Sequence, residues 1–120
     1  MKKLILSACA ILSLLTLAQT AAAATQEIRV IAIENAGVKF WLPSTIVVHK
    51  GDTVKLNLEN KILDKAGNVH GFEIPDYKIM EVVESGKPKV VEFKADKAGI
   101  FTMKCQLHPA HMGGQLVVLE

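Results

Sequence analysis

The chain has 120 residues, half of them apolar, and a formal net charge of +2. So small a charge argues against a nucleic-acid-binding surface. No segment after residue 24 approaches the roughly 18 consecutive apolar residues of a membrane span.

The average conceals two unlike segments. Residues 1–24 hold 17 apolar residues and no acid. Met1-Lys2-Lys3 is a short basic start, Leu4 to Leu17 an apolar run, and Ala21 to Ala24 a stretch of small residues. That order predicts a secretory signal peptide with an A-x-A cleavage site. Leu6-Ser7-Ala8-Cys9 fits a lipoprotein cleavage box by letter, but that cut would strand Ala10 to Leu17 on the mature surface. Cleavage after Ala24 predicts a mature domain of residues 25–120, with 12 basic and 12 acidic groups and no membrane span. The expected compartment is the periplasm.

In chain order, the first expected strands are Ile28 to Ile33 and Ile46 to His49. Val54, Leu56 and Leu58 then share one face of a strand, with Lys55, Asn57 and Glu59 on the other. Lys61 to Lys65 has the composition of a short helical turn, and Phe72 to Ile74 is a short apolar run. Val91, Phe93 and Ala95 alternate with Glu92 and Lys94, and Gln115 to Leu119 reads as the last strand. Turn signals separate these runs at Lys50-Gly51-Asp52, Lys65 to Asn68, Ser85 to Pro88 and Lys97 to Gly99. Trp41 and Phe40 read as core or sheet-edge aromatics. Six to eight short strands in one domain predict an all-β Greek-key sandwich or barrel.

With Cys9 lost in the leader, Cys105 is the single cysteine, so no internal disulfide can form. Its neighbours give it a purpose. Cys105, His108, His111 and Met112 place a thiolate, two imidazoles and a thioether within eight residues. Such a loop supplies an incomplete set, and His70, after a Gly-Asn turn, is the expected ligand from elsewhere. One thiolate, two imidazoles and a weaker fourth donor form a copper electron-transfer arrangement, whereas structural zinc commonly takes more cysteines. His49 reads as a solvated strand-end residue, and Glu34, Glu73 and Asp76 as a solvated acidic face.

Three segments carry a family resemblance: Pro43 to Val54 with its Gly-Asp turn, Asn60 with His70-Gly71-Phe72, and Ala98 to Pro109 ending in Cys-x-x-His. Over essentially the whole predicted mature domain the chain resembles the cupredoxins. It is similar to the nitrosocyanin group in Ala95 to Gly99 and Cys105 to Pro109, but has His70 where a glutamate ligand is expected there. The resemblance implies one copper ion cycling between Cu(I) and Cu(II), with His70, Cys105 and His108 as ligands. The fourth ligand is His111 by two ways of aligning the loop and Met112 by a third.

The expected activity is single-electron transfer between periplasmic redox proteins that dock transiently, without catalysis. No acidic or amide group can be placed to orient a Cys105–His108 pair as nucleophile and base. A copper buffer, chaperone or tolerance factor is the alternative, favoured by the adjacent His111-Met112 pair.

Overall fold

The computed structural model describes residues 22–120. The predicted leader therefore lies outside the described residues, except for its last three alanines.

Nine strands form: β1 Thr25–Asn35, β2 Val38–Leu42, β3 Thr45–His49, β4 Thr53–Asn60, β5 Val69–Ile74, β6 Ile79–Glu84, β7 Lys89–Lys94, β8 Gly99–Met103 and β9 Gly114–Leu119. One sheet has the order β2-β1-β4-β7 and the other β3-β9-β8, with β5 and β6 paired separately. Reciprocal backbone hydrogen bonds between Glu73 and Lys104, 2.8 and 3.0 Å, attach β5 to the chain leaving β8. The second layer is thereby extended by the β5–β6 pair. The chain changes layer between β2 and β3, β3 and β4, β4 and β5, β6 and β7, and β7 and β8, as a Greek-key sandwich requires. Parallel ladders of β1 with β4 and of β3 with β9 result.

Period-2 alternation sets the core. Along β4, Val54, Leu56 and Leu58 are fully buried, and Ile46, Val48, Leu116 and Val118 face them from β3 and β9. Phe72 and Ile74 of β5 and Met103 of β8 fill the end of the sandwich nearest the ligand loop.

The alternation at Val54–Leu58 and the runs around Ile28, Ile46 and Gln115 all become strands in the expected register. The helical turn expected over Lys61 to Lys65 does not form. Asn60 and Asn68 prevent it: Asn60 Nδ2 donates to Asn68 Oδ1 at 2.6 Å, and Asn68 Nδ2 donates to the carbonyls of Ile62 and Lys65, both at 2.8 Å. Side-chain bonds to backbone carbonyls hold these residues as a loop instead of a helix. The same buried amides fix the approach to His70. The one short helix among the described residues is a 3₁₀ turn at Pro75–Tyr77, where Pro75 pre-sets the backbone and Lys78 ends it in the left-handed region.

Candidate metal centre

The ligand loop is built from two consecutive turns. The N–H of His108 donates to the carbonyl of Cys105 at 3.3 Å, and the N–H of His111 to the carbonyl of His108 at 3.0 Å. Each is an i→i+3 turn, and Pro109 occupies the second position of the latter, where its fixed φ is favoured. Residues three apart therefore return to the same side of the loop. The N–H of Met112 then donates to the carbonyl of Lys39 at 3.0 Å, tying the far end of the loop to β2.

His70 reaches this loop from β5. The potential ligand atoms of His70, Cys105, His108 and His111 all lie within 4.8 Å of one another. Ring centroids are 5.2 Å apart for His70–His108, 5.0 Å for His70–His111 and 4.5 Å for His108–His111. Cys105 Sγ is 3.4 Å from His108 Nδ1 and accepts the N–H of Gly71 at 3.1 Å. His70 and Cys105 are buried, while His108 and His111 are partly exposed. Met112 is 48 % exposed and one residue out of phase with the turns.

This arrangement can be tested for its fitness to hold a metal. Both ring nitrogens of His70 are buried and neither has a hydrogen-bond partner among the described residues. A buried imidazole so placed is destabilised unless something binds it. A cation held by the cluster would satisfy one of those nitrogens. One thiolate with three imidazoles suits copper in both oxidation states, and one cysteine is fewer than structural zinc sites commonly use. The residues present fit copper.

Burial lowers the pKa of His70 to about 4, with the charges of His111 and His108 acting in the same direction. Burial, then the His108 charge, lowers that of His111 as well. In metal-free protein the sign follows from proton counting. Between the unfolded value of 6.5 and the folded value of about 4, the unfolded chain holds more protons. Stability from His70 is therefore fully present above pH 6.5 and is lost as pH falls towards 4. Thermal melts of metal-free protein across that range should decline steadily, and a flat profile would contradict the assignment.

Several supporting residues escaped the sequence reading. Trp41 donates its indole N–H to the Gly71 carbonyl at 2.8 Å, and its ring meets Phe72 edge-on at 5.3 Å. Gln106 Nε2 donates to the Glu81 carbonyl at 3.0 Å, locking the ligand loop to β6. A Cβ on Gly71 would stand 2.6 Å from Gln106 Cδ and 3.0 Å from its backbone N. The Gly71→Ala variant should lose about 1–3 kcal/mol in denaturant titration. Full retention of stability would show that the loop can yield. The His-Gly dipeptide was the available signal for this close approach. Of the three acids read as solvated, Glu73 instead pairs with Lys104 at 3.3 Å and Glu34 with Lys39 at 3.7 Å. Lys39, unremarked in the sequence, pairs with Asp64 at 2.5 Å beside the site.

A family model described as a cupredoxin-like domain matches residues 7–118. The chain belongs to that family. Over 66 residues it is 41 % identical to nitrous-oxide reductase of Cupriavidus necator and 42 % identical to that of Ralstonia nicotianae. Those alignments cover 52 % of this chain and 10 % of each enzyme, so the chain spans about a tenth of their length. Among solved structures, copper nitrite reductase from Nitrosomonas europaea superposes with a TM-score of 0.62 at 23 % identity, covering 79 % of this chain and 41 % of that one. The metal binding domain of a Cu(I)-exporting P-type ATPase of Streptococcus pneumoniae gives 0.63 at 17 %, covering 84 % and 92 %. At these identities the structural likeness establishes the fold.

Proposed function

We propose that the chain is exported to the periplasm, binds one copper ion through His70, Cys105, His108 and His111, and carries single electrons between transiently docking redox proteins. The observation that carries this reading is the convergence of one thiolate and three imidazoles within 4.8 Å. Bound copper would supply the one-electron couple. The chain's own residues supply its setting. The Gly71 N–H bond to Sγ holds the thiolate in place, and the sandwich fixes the donors of β5 against those of the loop. A rigid donor set that serves both oxidation states needs little rearrangement between them.

Partly exposed His108 lies beside Leu107, Pro109 and Ala110, which are exposed. A rim of this size suits a weak, short-lived interface. Export rests on the leader pattern, and no helix among the described residues is long and apolar enough to cross a membrane.

A second reading, copper delivery or buffering, is favoured by a cleft of about 230 Å³ that opens on His70, His108 and His111. It offers an incoming ligand access to the donors. Optical and EPR spectra of Cu(II)-loaded protein separate the readings when combined with transfer to a chelator. Intense thiolate charge transfer with a reversible potential supports the carrier; a tetragonal nitrogen–oxygen signal with rapid copper release supports delivery. The fourth donor is read by paired variants. His111→Ala should change the spectrum strongly and Met112→Ala little, and the reverse result would place the thioether in the site.

A further inference from the structure

Asp52 is a carboxylate only 3 % exposed. It accepts the N–H of Ala24 at 3.0 Å on Oδ1, the N–H of His49 at 3.0 Å on Oδ2, and Gln26 Nε2 at 3.5 Å. Among the described residues no lysine or arginine forms an ion pair with it. Buried carboxylates are ordinarily paired with a cation, because neutral donors compensate only part of the lost hydration.

One of the two donors at 3.0 Å belongs to the alanine run where the leader pattern ends. Two cuts satisfy A-x-A: after Ala24, with Ala22 and Ala24 as the small residues, or after Ala23, with Ala21 and Ala23. The expected cut is the one after Ala24, and the cut after Ala23 meets the same pattern. The Ala24 carbonyl accepts the N–H of Thr53 at 2.9 Å, so Ala24 already belongs to the β1–β4 ladder. A cut after Ala24 removes that acceptor and the first donor to Asp52. A cut after Ala23 keeps both.

We infer that signal peptidase hydrolyses the Ala23–Ala24 bond and that the new Ala24 α-ammonium pairs with Asp52. Water adds across the peptide bond, leaving Ala23 with the carboxylate and Ala24 with the ammonium. The Ala24 nitrogen already stands 3.0 Å from Oδ1, so a neutral hydrogen bond becomes a charge-assisted one without movement. Asp52, its pKa already lowered chiefly by the Ala24 and His49 N–H groups, is ionised to receive it. His49, Lys50 and Glu120 line the same cleft and are the other titratable groups facing the pair. Processing would thus complete the fold as well as release it.

This inference rests on the export reading, and one experiment separates the two. The full chain is expressed with its leader in a Gram-negative host, and the intact mass of the periplasmic product is measured. A product of residues 24–120 supports the cut. A product beginning at Thr25, or at Ala23 or earlier within the alanines, overturns it while leaving export intact. Uncleaved full-length chain overturns both.

The pairing has its own readout, titration of the Ala24 α-amine by NMR in the metal-free processed protein. An exposed α-amine titrates near about 8, and the paired one should titrate about one unit higher. It should return to the ordinary value in Asp52→Asn. A wild-type amine at or below the ordinary value overturns the pairing, whether or not the variant folds.

Discussion

Cys105→Ser, loaded with Cu(II), is expected to lose the intense visible absorption of the wild type while retaining a weak nitrogen–oxygen copper signal by EPR. The reason lies in the donor set. Three imidazoles can hold copper without the sulfur, but intense low-energy charge transfer needs a polarisable thiolate, and Cys105 is the free cysteine among the described residues. Serine preserves the size of the side chain and the Gly71 N–H contact, so the change is electronic more than structural. The copper should also become harder to reduce, because a soft donor favouring Cu(I) has been replaced by a hard one. An unchanged visible spectrum in the serine variant would sink the thiolate–copper reading, whatever the fold.

Phe72→Ala is expected to have the largest effect on stability. The ring is completely buried, and truncation of a buried phenylalanine costs about 3–5 kcal/mol. Against the roughly 5–15 kcal/mol that stabilises a domain, that loss brings the metal-free protein near unfolding at ordinary temperature. The damage should extend to the site. Phe72 is two residues from His70 on β5, and its ring is the surface against which Trp41 rests edge-on while bonding the Gly71 carbonyl. Removing it frees the strand that presents His70 to the loop. Copper that binds only the folded form should restore part of the lost stability by mass action. Thermal melts with and without Cu(II) measure both effects. A variant that melts within a few degrees of the wild type would show that neighbours collapse into the space.

The strands that could be read from the sequence were those with one wet and one dry face. Val54-Lys55-Leu56-Asn57-Leu58 has no other physical solution. β6, Ile79–Glu84, was not foreseen because Met80 and Val82 on its outer side are apolar and exposed, which blurs the alternation. The error at Lys61 to Lys65 has a different origin. Local composition there favours a helical turn, and what defeats it is a pair of buried amides eight residues apart, a tertiary fact.

For the site, the three-residue spacing of Cys105, His108 and His111 was legible because a turn acts over that same interval. His70, rather than His49, was expected beside the loop from its place between the Gly67-Asn68 turn and the run Phe72 to Ile74 and from the family resemblance, and it does converge with the three loop residues. Gly71, Gln106, Trp41 and Lys39 were not found as supports, since their roles depend on which strands lie side by side.

The two linked turns also make the loop a measuring device. Its near end is set by β8, which runs into Cys105, and its far end by the Met112 bond to the edge of β2. With both ends held, the number of residues between them decides which side chains point inward. One inserted residue after His108 would leave Cys105 and His108 in phase but carry His111 round to solvent, bringing its neighbour inward. A change of loop length alone would thus exchange the side chain presented beside His70 while every β-strand stays in place.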